Sequence, residues 1–249
     1  MYLKIRVAYT GENVKRGSTT GMTTRRVNTN TESVDNYLKA IFALGGSECE
    51  RVTSTALAKR LGVAPASVTN MLQKLASGSS LLVEYELHRG VRLSPAGMRR
   101  ALEIVRHHRL LEAFLYQILD YPIEEVHDEA ERLEHFISER FEERIDAKLG
   151  RPKFDPHGHY IPALDGKMLE KNSKPLTELR EAGTFVVESV SDQDSALLKR
   201  LKAHGITPGA LIEVTNTPKE EFVIRVSKAA RALRLPRSLA GAVRIRSTR

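Results

Sequence analysis

Four residues, His127, Glu131, Glu134 and His135, stand at offsets of 0, 4, 7 and 8 along the chain. At about 100° per residue they project within one arc of roughly 100° on an α-helix. His108 and Glu112, four residues apart in the preceding helical stretch, share a face in the same way. Two antiparallel helices turning these faces together gather six nitrogen and oxygen donors. Neutral imidazole and carboxylate in one site suit Mn(II), Fe(II), Co(II), Ni(II) or Zn(II). The competing reading is a solvated surface, because Glu is abundant here and His/Glu pairs four apart are common on exposed helices. His107 faces away from His108 and is expected at the surface. His157-Gly158-His159 lies in a Pro- and Gly-rich stretch and is expected to be a turn rather than a ligand pair.

Enzyme signatures are lacking. His127-Asp-Glu-Ala-Glu131 misses the second His of a zinc-protease helix. No phosphate-binding glycine loop and no Gly-x-Ser-x-Gly elbow occurs, and every donor in the cluster is used as a ligand, with no separate general base. The chain is 249 residues long with a net charge of +8, unevenly spread. Lys and Arg predominate up to about residue 100 and again after 170, whereas Asp and Glu predominate between 101 and 170. A basic front suits a polyanion, and an acidic middle suits cations. Cys49 is the single cysteine, which excludes an intrachain disulfide and suits a reducing cytoplasm. No stretch approaches the ~20 apolar residues of a membrane span, and the first residues lack the apolar core of a signal peptide. Met22 offers an alternative start.

The elements that must position these residues follow from periodicity. Residues 1–31, rich in Thr, Asn and Arg, read as a mobile extension. Tyr37, Leu38, Ile41, Phe42 and Leu44 recur at helical spacing until Gly45-Gly46. Two short helices, 53–62 and 66–75, joined by Val63-Ala64-Pro65, form a helix-turn-helix pattern. Leu57, Leu61, Val68, Met71, Leu72 and Leu75 supply its core, leaving Ser67, Thr69, Asn70 and Lys74 outward. Residues 81–87 and 91–93 around His88-Arg89-Gly90 read as a two-stranded wing, and Ser94-Pro95 caps a helix over 95–119. Residues 123–149 are again helical, with Ser138 able to cap a fresh helix. Pro152, Pro156, Pro162, Gly158 and Gly166 make 151–174 a linker. Beyond it, Phe185–Val187, Leu211–Val214, Phe222–Val226 and Val243–Ile245 read as strands of a small barrel, with one helix over Leu197–His204.

In this order the motifs resemble the diphtheria-toxin-repressor family of iron- and manganese-dependent regulators. Tyr37-Leu38-x-x-Ile41 looks like the family's first helix, and Arg106-His-His-Arg-Leu-Leu-Glu112 like its signature before the metal site. Val126-His-Asp-Glu-Ala-Glu-Arg-Leu-Glu-His135 is the most specific match. Asp155-Pro-His-Gly158 with Ile161-Pro162 resembles the link to a C-terminal SH3-like domain. The resemblance runs from about Ser33 to the C-terminus. It implies one metal site at His108, Glu112 and His127, and a second at Glu131, Glu134 and His135 with a helper at Asn36. Asn is a weaker ligand than the family's Asp or Met there, with Asp35 as a substitute, and Lys39 replaces a carboxylate of the shorter manganese branch. Asp192 and Gln193 resemble positions that lend extra ligands. Glu131 stands where iron-type relatives carry Cys, which favours Mn(II) over softer ions, with Fe(II) as the alternative.

The resulting expectation is a mainly α protein with small β parts. It has a winged helix-turn-helix over 32–95, a helical dimerisation and metal-binding domain over 96–150, and an SH3-like domain over 175–249. It is expected to be a cytoplasmic, homodimeric, metal-activated repressor of metal-uptake genes, binding a double-stranded DNA operator, not a membrane. Pro65, Ala66, Ser67, Thr69, Asn70 and Lys74 face the DNA, and Arg89 holds phosphates. The alternatives are an iron-dependent member of the same family, a metal-independent winged-helix protein and a metalloenzyme.

Overall fold

A computed structural model describes residues 29–46, 48–77, 81–168, 173–216, 221–226 and 232–248. The expected extension 1–31 lies outside these residues up to position 28, but its last three residues are already helical. The first helix, α1 (Thr29–Gly45), buries Tyr37, Leu38, Ile41 and Phe42 on one face.

The helix-turn-helix is α2 (Ser54–Leu61) and α3 (Pro65–Ser77). Thr53 caps α2 through its side-chain oxygen, which accepts from the Ala56 amide at 3.2 Å. Gly62 ends it in the left-handed conformation at φ 65°, a backbone state that glycine adopts at little cost. Leu57, Val68, Leu72 and Leu75 close the shared core onto α1. The wing is shorter than its hydrophobic run: β1 (Val83–Glu86) pairs antiparallel with β2 (Gly90–Leu93), and Val52 adds a single bridge to Val91.

Ser94 joins the wing to α4 (Pro95–Ile118). Its hydroxyl donates to the Leu81 carbonyl at 2.5 Å and accepts from the Gly97 amide at 3.1 Å. A cap of this kind is worth ~1 kcal/mol. At Gly97 a Cβ would lie 1.9 Å from the Leu82 carbonyl oxygen, so only glycine allows this approach of α4 to the wing. The long helix is then held on its other side. Arg106 donates to Glu142 at 2.5 Å, to Asp146 at 3.0 Å and to the Pro162 carbonyl at 2.8 Å. His107 is buried rather than at the surface, with Nε2 2.9 Å from Glu142. The second helical run is interrupted. It comprises α5 (Val126–Leu133) and α6 (Glu139–Lys148), the latter capped by Ser138 accepting from the Phe141 amide at 3.3 Å.

The remaining strands form one antiparallel sheet in the order β3-β8-β4-β5-β6-β7, over its own apolar core around Phe222, Ile212, Ile224 and Leu201. They are β3 (Lys174–Pro175), β4 (Gly183–Val190), β5 (Leu211–Asn216), β6 (Glu221–Val226), β7 (Leu233–Pro236) and β8 (Val243–Ser247). β3 and β7 were not foreseen. Helix α7 (Ser195–Ala203) follows β4, with Asp194 as its N-cap, and α8 (Arg237–Ala240) precedes β8. Two helical layers and a small SH3-like sheet unit match the expected fold class.

The segment 151–168 is more than a linker. It buries Asp155, His157 and Ile161, and bridges Phe154 to Tyr160. The Val190 amide donates to the His157 carbonyl at 3.0 Å. At Gly158, φ is 86° and a Cβ would fall 2.2 Å from the Glu188 carbonyl oxygen. Glycine there lets the loop lie directly on β4.

Candidate metal centre

Helix α4 runs beside α5, and the loop 151–168 with the end of β4 closes the third side. Glu112 lies at the centre, fully buried. Its Oε1 is 2.9 Å from His108 Nε2 and 3.2 Å from His127 Nδ1, while those two nitrogens are 3.1 Å apart. Asp192, just after β4, brings Oδ2 to 3.8 Å from His127 Nδ1. Gln193 reaches His127 Nε2 at 3.4 Å and donates to Asp192 at 2.7 Å. His108, Glu112, His127 and Asp192 thus each offer an atom within 4.8 Å of the others. The helices and the sheet unit both bring donors to this cluster.

The far side of Glu112 is where sequence reasoning fell short. His157 and His159, expected to be a turn rather than a ligand pair, do lie in a turn, but with Asp155 they also form a donor cluster. His157 is fully buried, and its Nε2 donates to the Ile123 carbonyl at 3.0 Å. That bond leaves Nδ1 facing Glu112 Oε2 at 3.5 Å. His159 Nδ1 lies 3.4 Å from Asp155 and 3.5 Å from Asp192. The turn itself gathers them, with Asp155 Oδ1 accepting from the His157 and His159 amides at 2.9 Å each. The segment has no regular element to make the geometry predictable.

The second expected cluster is displaced from a pure helix face. Helix α5 ends at Leu133, so Glu134 is its C-cap and His135 lies in the following turn. The Glu134 φ and ψ stay helical, which keeps the arc approximately intact. Glu134 Oε2 is 2.6 Å from His108 Nδ1, so His108 faces both donor groups rather than belonging to one. His135 Nε2 lies 3.0 Å from Asn36 Oδ1 and 3.3 Å from Glu134 Oε1. Asp35, the expected substitute for Asn36, is gripped by Arg100 at 2.8 and 2.9 Å, and its Oδ2 also lies 3.7 Å from His135 Nδ1. Glu131 receives the Lys39 ammonium at 2.6 Å.

Burial disfavours charge on His108, yet the Glu112 and Glu134 carboxylates outweigh it and hold the ring at about 10. His157 follows the same balance, with burial opposed mainly by Glu112, and rises to about 9. Burial likewise opposes ionisation of Glu112, but the His108 cation and the hydrogen bonds of His108 and His127 keep it well below the usual carboxylate range. Protons on imidazole therefore balance the carboxylate charge. Glu112 Oε2, His157 Nδ1, Asp155 Oδ2 and His159 Nδ1 have no hydrogen-bond partner among the described residues. Buried polar atoms left unpaired are costly. Imidazole and carboxylate atoms converging in this way fit a divalent first-row ion. A cleft of about 310 Å3, lined by Glu124, His127, Asp128, Asp192, Gln193, Asp194 and Ser195, adjoins it.

The residues expected to face DNA lie on α3 and the wing. Pro65, Ala66, Ser67, Asn70 and Lys74 are exposed on α3, and Thr69 is partly covered, its hydroxyl donating to the Pro65 carbonyl at 3.2 Å. Arg89 stands at the wing tip, 77% exposed, in an ion pair with Glu86 at 3.0 Å. No helix among the described residues is long and apolar enough to cross a membrane.

Known proteins share this organisation. The family profile "Iron dependent repressor, N-terminal DNA binding domain" matches residues 30–91, "Iron dependent repressor, metal binding and dimerisation domain" matches 94–163, and "FeoA domain" matches 174–247. The iron-dependent repressor IdeR of Mycobacterium leprae is 31% identical over 229 residues, covering 86% of this chain and 96% of its own. The diphtheria toxin repressor of Corynebacterium diphtheriae is 32% identical over 163 residues, covering 64% and 70%. Among solved structures, a manganese-dependent transcriptional repressor in complex with manganese superposes with a TM-score of 0.80 at 35% identity, over 86% of this chain and 99% of that one. ScaR with bound Zn2+ gives 0.73 at 31% identity, over 86% and 99%. The chain belongs to the diphtheria-toxin-repressor family of metal-dependent DNA-binding transcriptional repressors, which are not enzymes.

Proposed function

We propose that this chain is a manganese-responsive, homodimeric repressor of metal-uptake genes acting in the cytoplasm, with iron as the alternative effector. The ion is held by His108, Glu112, His127 and Asp192, with Gln193 beside them and Asp155, His157 and His159 on the other side of Glu112. The observation that carries this is Glu112: a fully buried carboxylate among three imidazoles, with Oε2 in no closed hydrogen bond and His157 Nδ1 standing 3.5 Å from it. Asn36, Glu131, Glu134 and His135 form a second, weaker pocket. Glu131, an oxygen donor where softer-metal sites use sulfur, favours Mn(II). The manganese-bound relative described above supports the same choice.

A bound divalent ion supplies the positive charge that the buried carboxylates lack. The protein supplies position. Arg106 and His107 pin α4 to α6, and the His157–Ile123 bond orients the ring. The docking of α1 on α4 passes the arrangement to the DNA-binding domain, which we assign to 32–95. Exposed Tyr116, Leu119, Phe136 and Phe141, around the ends of α4, α5 and α6, are the apolar surface available for the twofold partner in the helical domain 96–150. A dimer must set two recognition helices about one DNA turn, ~34 Å, or a multiple apart. Pro65, Ala66, Ser67, Thr69, Asn70 and Lys74 then meet bases or backbone, and Arg89 meets phosphate.

The test is operator affinity, selected from a promoter library, with and without each divalent metal. Mn(II) should tighten wild-type binding by a coupling of roughly 1–3 kcal/mol. His127→Ala should lose that gain while remaining folded. Equal metal stimulation of both proteins would overturn the assignment.

A further inference from the structure

One side chain stands where an ion would have to go. Lys39 follows Asn36 by three residues, so the two share a face of α1. Its Nζ lies 2.6 Å from Glu131 Oε1 and 2.7 Å from Glu134 Oε1, bridging the two carboxylates. These are the lengths of charge-assisted hydrogen bonds. The other oxygen of Glu134 is 2.6 Å from His108, so both of its oxygens are already engaged by nitrogen donors. The remaining donors add little net negative charge: Asn36 is neutral, and the Asp35 carboxylate, 3.7 Å from His135 Nδ1, is paired by Arg100. A divalent ion binding Glu134 beside His135 must use Oε1, which Lys39 now holds, and must approach Glu131 past the same ammonium. Around Glu112 the arginine contact is peripheral, with Arg109 Nε 3.7 Å from Asp155 Oδ2.

We propose that Lys39 is the resident cation of the Asn36–Glu131–Glu134–His135 pocket, a built-in competitor that sets how much divalent metal is needed to fill it. The inference rests on the metal reading given under Proposed function. Competition requires that the ammonium be able to leave. The Lys39 side chain is 18% exposed and that of Glu131 is 37% exposed, so the ammonium sits near the rim and can swing into water. Lys39 belongs to the DNA-binding domain and the carboxylates to α5, so while in place it also ties α1 to the helical domain without metal. The consequence is graded filling: the pocket around Glu112 loads first, and the Lys39 pocket only at higher metal.

The experiment is a Mn(II) titration of the full chain, with free Mn(II) followed by electron paramagnetic resonance. Wild type should show one tight and one weak class per protomer. Lys39→Met and Lys39→Gln, both uncharged, should tighten the weak class by about tenfold or more and leave the tight class unmoved. Lys39→Arg, which keeps the cation, should restore wild-type behaviour. Adding Glu131→Gln to Lys39→Met should abolish the tightened class. Circular dichroism without metal checks that each variant is folded. If folded Lys39→Met and Lys39→Gln keep the wild-type weak class, or if wild type fills both sites with equal affinity, Lys39 is not a competitor. No Mn(II) binding by wild type would instead sink the metal reading itself, and the competitor with it.

Discussion

Loading the site should expel protons. In the metal-free protein His108 is held at about 10 and His157 at about 9, both above the ordinary imidazole value of 6.5. At about pH 7.5 both rings are protonated, and a protonated nitrogen cannot ligate a metal. His108 must lose its proton because its nitrogen becomes a ligand. His157 loses its proton because an ion on Glu112 removes the charge that retains it. The rings share Glu112, so the protons leave as a coupled pair and their total is the meaningful quantity. The summed distance to pH 7.5 is about four pKa units, or about 5 kcal/mol opposing the ion at 1.36 kcal/mol per unit. The sign follows directly. Raised pKa values stabilise the metal-free fold fully below pH 6.5, and this contribution is lost as pH rises through 9 to 10. Metal affinity must therefore climb with pH, by close to a hundredfold per unit between about 6.5 and 8.5. Calorimetric titration with Mn(II) in buffers of differing ionisation enthalpy measures the proton count directly, and about two per ion are expected. A count near zero would refute the reasoning, because it would mean that the rings are neutral and the ion binds elsewhere.

Two further outcomes concern other parts of the chain. Asn70→Ala should weaken operator binding by ~1–3 kcal/mol with little change in salt slope, whereas Arg89→Ala should weaken binding to every sequence and lower the slope by about one unit; salt-dependent fluorescence anisotropy separates them. Glu131→Cys should shift the order of activation from Mn(II) toward softer ions, since it trades oxygen for thiolate; an order unchanged across Mn(II), Fe(II), Co(II) and Zn(II) would exclude Glu131 as a ligand.

The helices and their caps were legible because they depend on local chemistry. Ser94 and Ser138 each cap the helix expected of them. The convergence of His108, Glu112 and His127 was legible because helical periodicity fixes direction within an element. What the sequence concealed depends on contacts between elements. His107 was assigned outward because it lies about 100° from His108, yet α6 covers that side and Glu142 receives it. Asp155, His157 and His159 were hidden in a segment with no period to read, and they are placed by Gly158 against β4. Lys39 was noted as a departure from a carboxylate, but its placement between Glu131 and Glu134 could not be read from spacing, since the partners are more than ninety residues away.

Asp192 and Gln193 reach the centre from the end of β4, whereas His108, Glu112 and His127 stand on α4 and α5. Whatever affinity an ion draws from Asp192 must come back as affinity of the sheet unit for the helices, by the same factor, because the two equilibria form one thermodynamic cycle. The C-terminal unit is then itself an effector of the site, present at the high effective concentration of a tethered partner. Weakening its seat, even at residues remote from every donor, raises the concentration at which the regulator senses its metal. The set point of the sensor is thus written partly into the packing of β4 against the 151–168 loop, where no ligand need change for it to move.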